Sequence, residues 1–281
     1  MIWMLMCVVT GAAFGHIMRN AQQRCCSMSW VGAWNYLAAA VACWVWWALT
    51  PDSHLGWEGA ILGTLCGLCF VGAYFLMNSA IRAAGVGITQ SIQWLGVALP
   101  VTASILIWRE LPSLVQTLGL LLALIAFPLL ACGHAAADAP KNRWKVLFLA
   151  GLFLLEGSVS LIMKFYSRDV PTGSESAFLA FLFSAAAIGN VAMTLRQERA
   201  GLRDFVHGFG MGAANVLCNL AILRALAVLP GTIVFPTISA GSIVLTAVIG
   251  AMLWRERYYG GALAGLILAA LSLILINLPT P

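Results

Sequence analysis

Along this chain apolar residues come in runs near the roughly 20 residues that a helix needs to cross hydrocarbon. Polar residues are confined to short breaks between the runs. Ten runs can be drawn, at 2–18, 29–49, 58–81, 86–108, 113–132, 146–165, 174–195, 205–227, 231–254 and 258–277. The breaks include a polar turn at 19–24, Pro51-Asp52-Ser53-His54, the long stretch GHAAADAPKNRWK at 133–145, and a basic turn at 196–199. Pro100 frees a carbonyl and is expected to kink the fourth run, and Pro236 is expected to break the regularity of the ninth. The pattern predicts an all-α integral membrane protein of ten transmembrane helices, with no room for a soluble domain. The first run starts at Met1 and lacks both a basic leader and a clear small-residue cleavage site, so it reads as a retained span.

The runs repeat. Trp108-Arg109-Glu110 recurs as Trp254-Arg255-Glu256, 146 positions later, and Gly119 recurs as Gly265 at the same offset, followed by a similar Leu/Ala-rich tail. Asn78-x-Ala80-Ile81 recurs as Asn219-x-Ala221-Ile222 at an offset of 141, as do Gly67 with Gly208 and Trp3 with Trp144. A fixed offset across most of a chain is the mark of duplication. The division that follows is a first five-helix repeat over 1–132, a connecting loop at 133–145 and a second five-helix repeat over 146–281. Five is odd, so the second repeat enters the membrane from the opposite side, an inverted-topology repeat.

Composition narrows the class. With 62% hydrophobic and 9% charged residues, the chain is far from the roughly 25% charge of soluble domains. Its net charge of +5 therefore says nothing of nucleic acid, and the partner implied is the lipid bilayer. Most of the eight cysteines lie inside apolar runs, where small soft side chains pack well. Cys66-Gly-Leu-Cys69 has the spacing of a metal or redox motif, but no His or second cysteine pair lies nearby, so no metal or cofactor is assigned. Trp30, Trp34, Trp44, Trp46 and Trp47 crowd the two ends of the second run, as an interfacial belt does.

Polar residues inside the runs are the candidates for chemistry, because each is costly against lipid. Glu156, near mid-depth in the sixth run, must be buried, paired or protonated, and is the candidate coupling residue. Ser160 shares its face one turn on. Gln90, Gln93 and Trp94 lie along one face of the fourth run, and Tyr74 and Asn78 are one turn apart in the third. Asn215, Asn219, Thr237 and Ser239 fall in the eighth and ninth. An inverted repeat lets one central site open alternately to each side. These residues are therefore expected to form a small polar cavity between the repeats, with hydrogen bonds from the amides and stacking on Trp94 or Tyr74. Proton uptake and release at Glu156 would drive the cycle, since no phosphate-binding loop for ATP is present. Ser158, Ser239 and Ser242 adjoin glycines, but no His stands at a persuasive position to serve as base, so no enzyme is expected.

The five-plus-five plan, the paired Trp-Arg-Glu turns, Gly119 with Gly265, and the prolines of the fourth and ninth runs resemble the drug/metabolite transporter superfamily, EamA-type branch. The resemblance covers nearly the whole chain. It implies ten helices, alternating access, and a small metabolite or drug-like solute as substrate. The alternatives are sugar or lipid-precursor transport, or a non-transporting partner subunit. It also implies a bacterial inner (plasma) membrane and a monomer or homodimer. Glu110 and Glu256 match the superfamily's turn and are expected to orient it rather than touch substrate. Orientation is in conflict. With termini inside, inner loops would hold Arg109, Lys164, Arg168 and Arg224 against eleven basic residues outside. The positive-inside rule then places both termini outside, whereas the better-known relatives have them inside.

Overall fold

The computed structural model describes residues 1–50, 56–84, 86–132, 144–170, 174–195, 200–254 and 259–278, without the side chains of 86, 87, 90, 131, 132 and 254. Among these residues the secondary structure is helical throughout, with no strand. The helices are α1 (Ile2–Gln23), α2 (Met28–Leu49), α3 (Trp57–Ala84), α4 (Val86–Leu95), α5 (Ala98–Leu106), α6 (Leu114–Cys132), α7 (Lys145–Asp169), α8 (Glu175–Thr194), α9 (Leu202–Val228), α10 (Gly231–Trp254) and α11 (Gly260–Asn277). Seven of them (α1, α3, α7, α8, α9, α10 and α11) are long and apolar enough to cross a bilayer. Large apolar side chains such as Leu65, Leu68, Leu121, Ile125, Leu271 and Ile274 stand exposed along the helices. Exposed apolar surface on that scale fits a lipid environment. This is a multi-pass helical membrane protein.

The chain forms two compact units, 1–71 with 162–227 and 72–161 with 228–281. Each takes helices from both halves of the sequence. In the first unit α2 packs on α8, and α9 lies on α2 through two glycines one turn apart. A Cβ on Gly212 would meet the Asn35 carbonyl oxygen at 2.7 Å, and one on Gly208 would meet that of Val31 at 2.8 Å. Only glycine allows backbones that close. Gly63 and Gly67 bring α3 equally close to the Phe178 and Leu182 carbonyls of α8. Trp44 donates its indole N–H to Ser184 Oγ (2.9 Å), and Trp34 meets Phe205 edge to face. These two tryptophans of the expected belt therefore serve helix seams.

In the second unit α6 and α11 pack reciprocally. Gly119 of α6 faces Ile276 of α11, and Gly265 of α11 faces Leu130 of α6. Ala126, Ala240 and Ala269 let α6, α10 and α11 meet in one core. The last half of α3 lies on the first half of α7 through Ala73, Ala80 and Leu152. Helix starts are written in the sequence. Ser113 Oγ accepts from Gln116 N–H (3.2 Å) while Gln116 Oε1 accepts from Ser113 N–H (3.0 Å), a reciprocal capping box at the head of α6.

Several expectations are corrected. The polar turn at 19–24 is helix as far as Gln23, because nothing there breaks the α1 backbone. The fourth run is two helices, parted at Gly96 and Val97. Pro100 lacks the N–H that would bond the Gly96 carbonyl, which accepts instead from Leu99 N–H at 3.2 Å. The helix therefore breaks one turn ahead of the proline. Pro236, by contrast, leaves α10 unbroken. It sits just past the first turn, where few bonds are at stake. Lys164, counted above as a loop charge, lies within α7 and is 0% exposed; α7 runs on to Asp169.

Candidate functional site

In the second unit, α7 comes close to the break between α4 and α5. A Cβ on Gly96 would stand 3.2 Å from Glu156 Cβ. Gly157 receives the Leu99 side chain where any larger residue would clash. This approach lets Gln93, in the last turn of α4, reach across. Its Nε2 donates to Glu156 Oε1 at 2.9 Å. Ser160 Oγ lies 3.4 Å from the Glu156 carbonyl in the same helix. Among the described residues, Gln93 is the side chain bonded to the carboxylate. Glu156 is thus a carboxylate near the middle of an apolar helix, half-buried and held by one amide.

The other expected residues divide. Asn78 Nδ2 donates to the Tyr74 carbonyl one turn back, which satisfies the amide within α3; Tyr74 itself is half-buried. Trp94 lies against Phe127 of α6, ring centres 6.2 Å apart. Thr237 is buried and accepts from Asn277 Nδ2 of α11 at 2.9 Å; Ser239 is half-buried on α10. The Gln90 side chain lies outside the described residues. Near the helix break, Val97, Val101, Ala123, Leu124 and Pro236 line a cavity of about 70 Å³ between α5, α6 and α10. Small-molecule pockets run to several hundred Å³, so this apolar space is too small for a metabolite.

Asn215 and Asn219 belong to the first unit. Asn219 Nδ2 donates to Asn215 Oδ1 (2.7 Å), and Asn215 Nδ2 donates to Asn35 Oδ1 (3.3 Å). Asn35 is 2% exposed on α2. The amides form a chain that ties α9 to α2 beside Gly212. Asn35, an unremarkable lone amide among tryptophans, escaped the sequence reading.

Two turns of the repeat fare differently. Arg109 takes a left-handed backbone (φ 52°), which swings Glu110 toward α10. Glu110 Oε2 then accepts from Gly231 N–H at 2.6 Å. A carboxylate at a helix N-terminus satisfies an orphan donor and meets the positive end of the helix dipole. Glu110 thus orients a helix boundary. Arg255 and Glu256 lie outside the described residues.

No protein-family model matches the chain. An uncharacterised protein of Haemophilus influenzae is 25% identical over 193 residues, which cover 68% of this chain and 66% of the relative, just under two thirds of its length. The fold is similar to that of a protein solved by crystallography, with a TM-score of 0.80 at 13% identity over 99% of this chain and 96% of that one. At that identity the likeness extends to fold and no further.

Proposed function

We propose that the chain is a secondary transporter of the drug/metabolite type. In this reading it comprises ten spans in two inverted repeats and moves a small metabolite or drug-like solute across a bacterial inner membrane by alternating access. The observation that carries the reading is the Gln93–Glu156 hydrogen bond beside the helix break. It joins one residue from each repeat, at the kind of interrupted helix where transporters hold substrate and coupling ions. The repeat draws support from the α6–α11 seam. An offset of 146 carries Gly119 onto Gly265 and Leu130 onto Ile276, so each glycine contact maps onto the other. The same offset carries Ser91, whose hydroxyl donates to the Phe127 carbonyl, onto Thr237.

In the cycle proposed here, Glu156 exchanges a proton for solute, and Gln93 holds the carboxylate oriented in both steps. Tyr74 and Trp94 offer aromatic faces to the solute. Asn215 and Asn219 act as seam residues rather than ligands, because their amides are spent on each other and on Asn35. The test is solute-induced thermal stabilisation of the purified protein across amino acids, sugars, nucleosides and cationic drugs at two pH values. A saturable shift in one class, lost in Glu156→Gln, is the expected result. No shift with any class would overturn the small-solute reading.

A further inference from the structure

Among the described residues the fold brings together two thiols that the sequence keeps 211 positions apart. Cys7 of α1 and Cys218 of α9 stand with their sulfurs 3.1 Å apart, and both belong to the first unit. Cys7 is 0% exposed, whereas Cys218 is half-buried. The contact sits within a longer seam. Ile17 of α1 approaches Gly210 of α9, and Asn20 Oδ1 meets His207 Nε2 at 2.9 Å. The seam holds α1 and α9 antiparallel, so the two sulfurs are fixed from both helices. Thr10, one turn from Cys7, bonds the Met6 and Cys7 carbonyls. Among the described residues no group of three or more His, Cys, Asp or Glu could hold a metal ion. The pair therefore stands as a dithiol.

We infer that Cys7 and Cys218 are an oxidation site, a dithiol that closes to a disulfide linking α1 to α9. A disulfide needs its sulfurs at about 2.05 Å, so closure asks for a movement of about 1 Å. Apolar surroundings suit an oxidant that dissolves in lipid, a lipid or alkyl hydroperoxide. Cys218, the less buried residue of the two, attacks the peroxide oxygen. The O–O bond breaks, the thiol proton leaves with the alkoxide as alcohol, and Cys218 becomes a sulfenic acid. Cys7 then attacks the Cys218 sulfur. The S–O bond breaks, and the hydroxyl leaves as water with the Cys7 proton. The peroxide is reduced by two electrons and the dithiol oxidised by two. The second step is intramolecular between atoms already in contact, which gives it the advantage of proximity over further oxidation.

The test treats the whole protein in bilayer vesicles with cumene hydroperoxide, then alkylates under denaturing conditions and maps peptides by mass. The expected product has lost two hydrogens, joins the Cys7 and Cys218 peptides, and returns to two thiols with dithiothreitol. Cys43→Ser, which alters a different buried cysteine, is expected to leave that product unchanged, and Cys218→Ser to abolish it. Recovery of both residues as free thiols at every dose would overturn the inference. So would a sulfinic acid at Cys218 with no link, or Cys7 joined to another cysteine. None of these outcomes depends on transport, so the inference stands or falls apart from the function proposed above.

Discussion

Two of the polar seams among the described residues differ in kind. In the first unit, Asn219, Asn215 and Asn35 hand hydrogen bonds along a neutral chain from α9 to α2. In the second, Gln93 bonds a carboxylate beside a helix break. The neutral chain lies where glycines clamp two helices together, and its amides answer one another. The charged pair lies where one helix is interrupted and its neighbour carries an acid. Depth in the membrane makes both costly to leave unsatisfied. Only the pair with Glu156 can change its charge, and in the function proposed above that difference separates a fastening from a working part.

The comparison can be broken at four points, in falling order of effect. Gly212→Leu should do most harm, because its side chain would have to enter the Asn35 backbone of α2. Overpacking of this kind costs about 3 kcal/mol or more at the severe end, and denaturation in detergent should find little folded protein. Glu156→Gln should fold and lose at least about tenfold in solute affinity, about 1.4 kcal/mol. Wild-type affinity should also rise with pH as the solute competes with a proton, while the variant's pH profile stays flat. Calorimetric titration at several pH values reads both effects. Asn215→Leu should cost about 1 kcal/mol of stability, within the range measured for membrane hydrogen bonds, without altering solute affinity. If it abolished affinity at unchanged stability, the two seams would not differ as argued. Asn277→Leu, which removes the donor to Thr237, should cost about 0.6 kcal/mol and nothing else, as seen in equilibrium unfolding.

The helical, membrane-spanning character was legible because apolar runs and their breaks are local properties of a sequence. Glu156 was legible for the same reason, since a carboxylate deep in an apolar run stands out by itself. What sequence hides is register between distant helices. Asn35 has no repeat partner that marks it, and its significance arises only when α9 brings Asn215 alongside. Cys7 and Cys218 looked like two packing residues because nothing local says they touch. Lys164 was misplaced for a different reason. Basic residues near a run's end usually belong to the loop, but Lys164 already falls inside the run at 146–165, and α7 continues past it to Asp169, so the lysine is a buried helix residue. Pro100 announces a kink in the fourth run, but the full break ahead of it depends on which carbonyl it leaves without a donor.

The order in which the chain is made acquires meaning from the way the units divide it. Residues are delivered to the first unit, then the second, then the first again, and finally the second. The first unit has all its parts once Ala227 leaves the ribosome. The second waits, with the last half of α3, α4 to α6 and the first half of α7 already made, for α10 and α11. During that interval Gly119 and Leu130 on α6 lack their partners Ile276 and Gly265, which come only with α11. The head of α10 finds Glu110 ready when Gly231 emerges. A chain stopped short of α11 would thus leave one unit complete and the other with an open groove in the lipid, a natural target for membrane quality control.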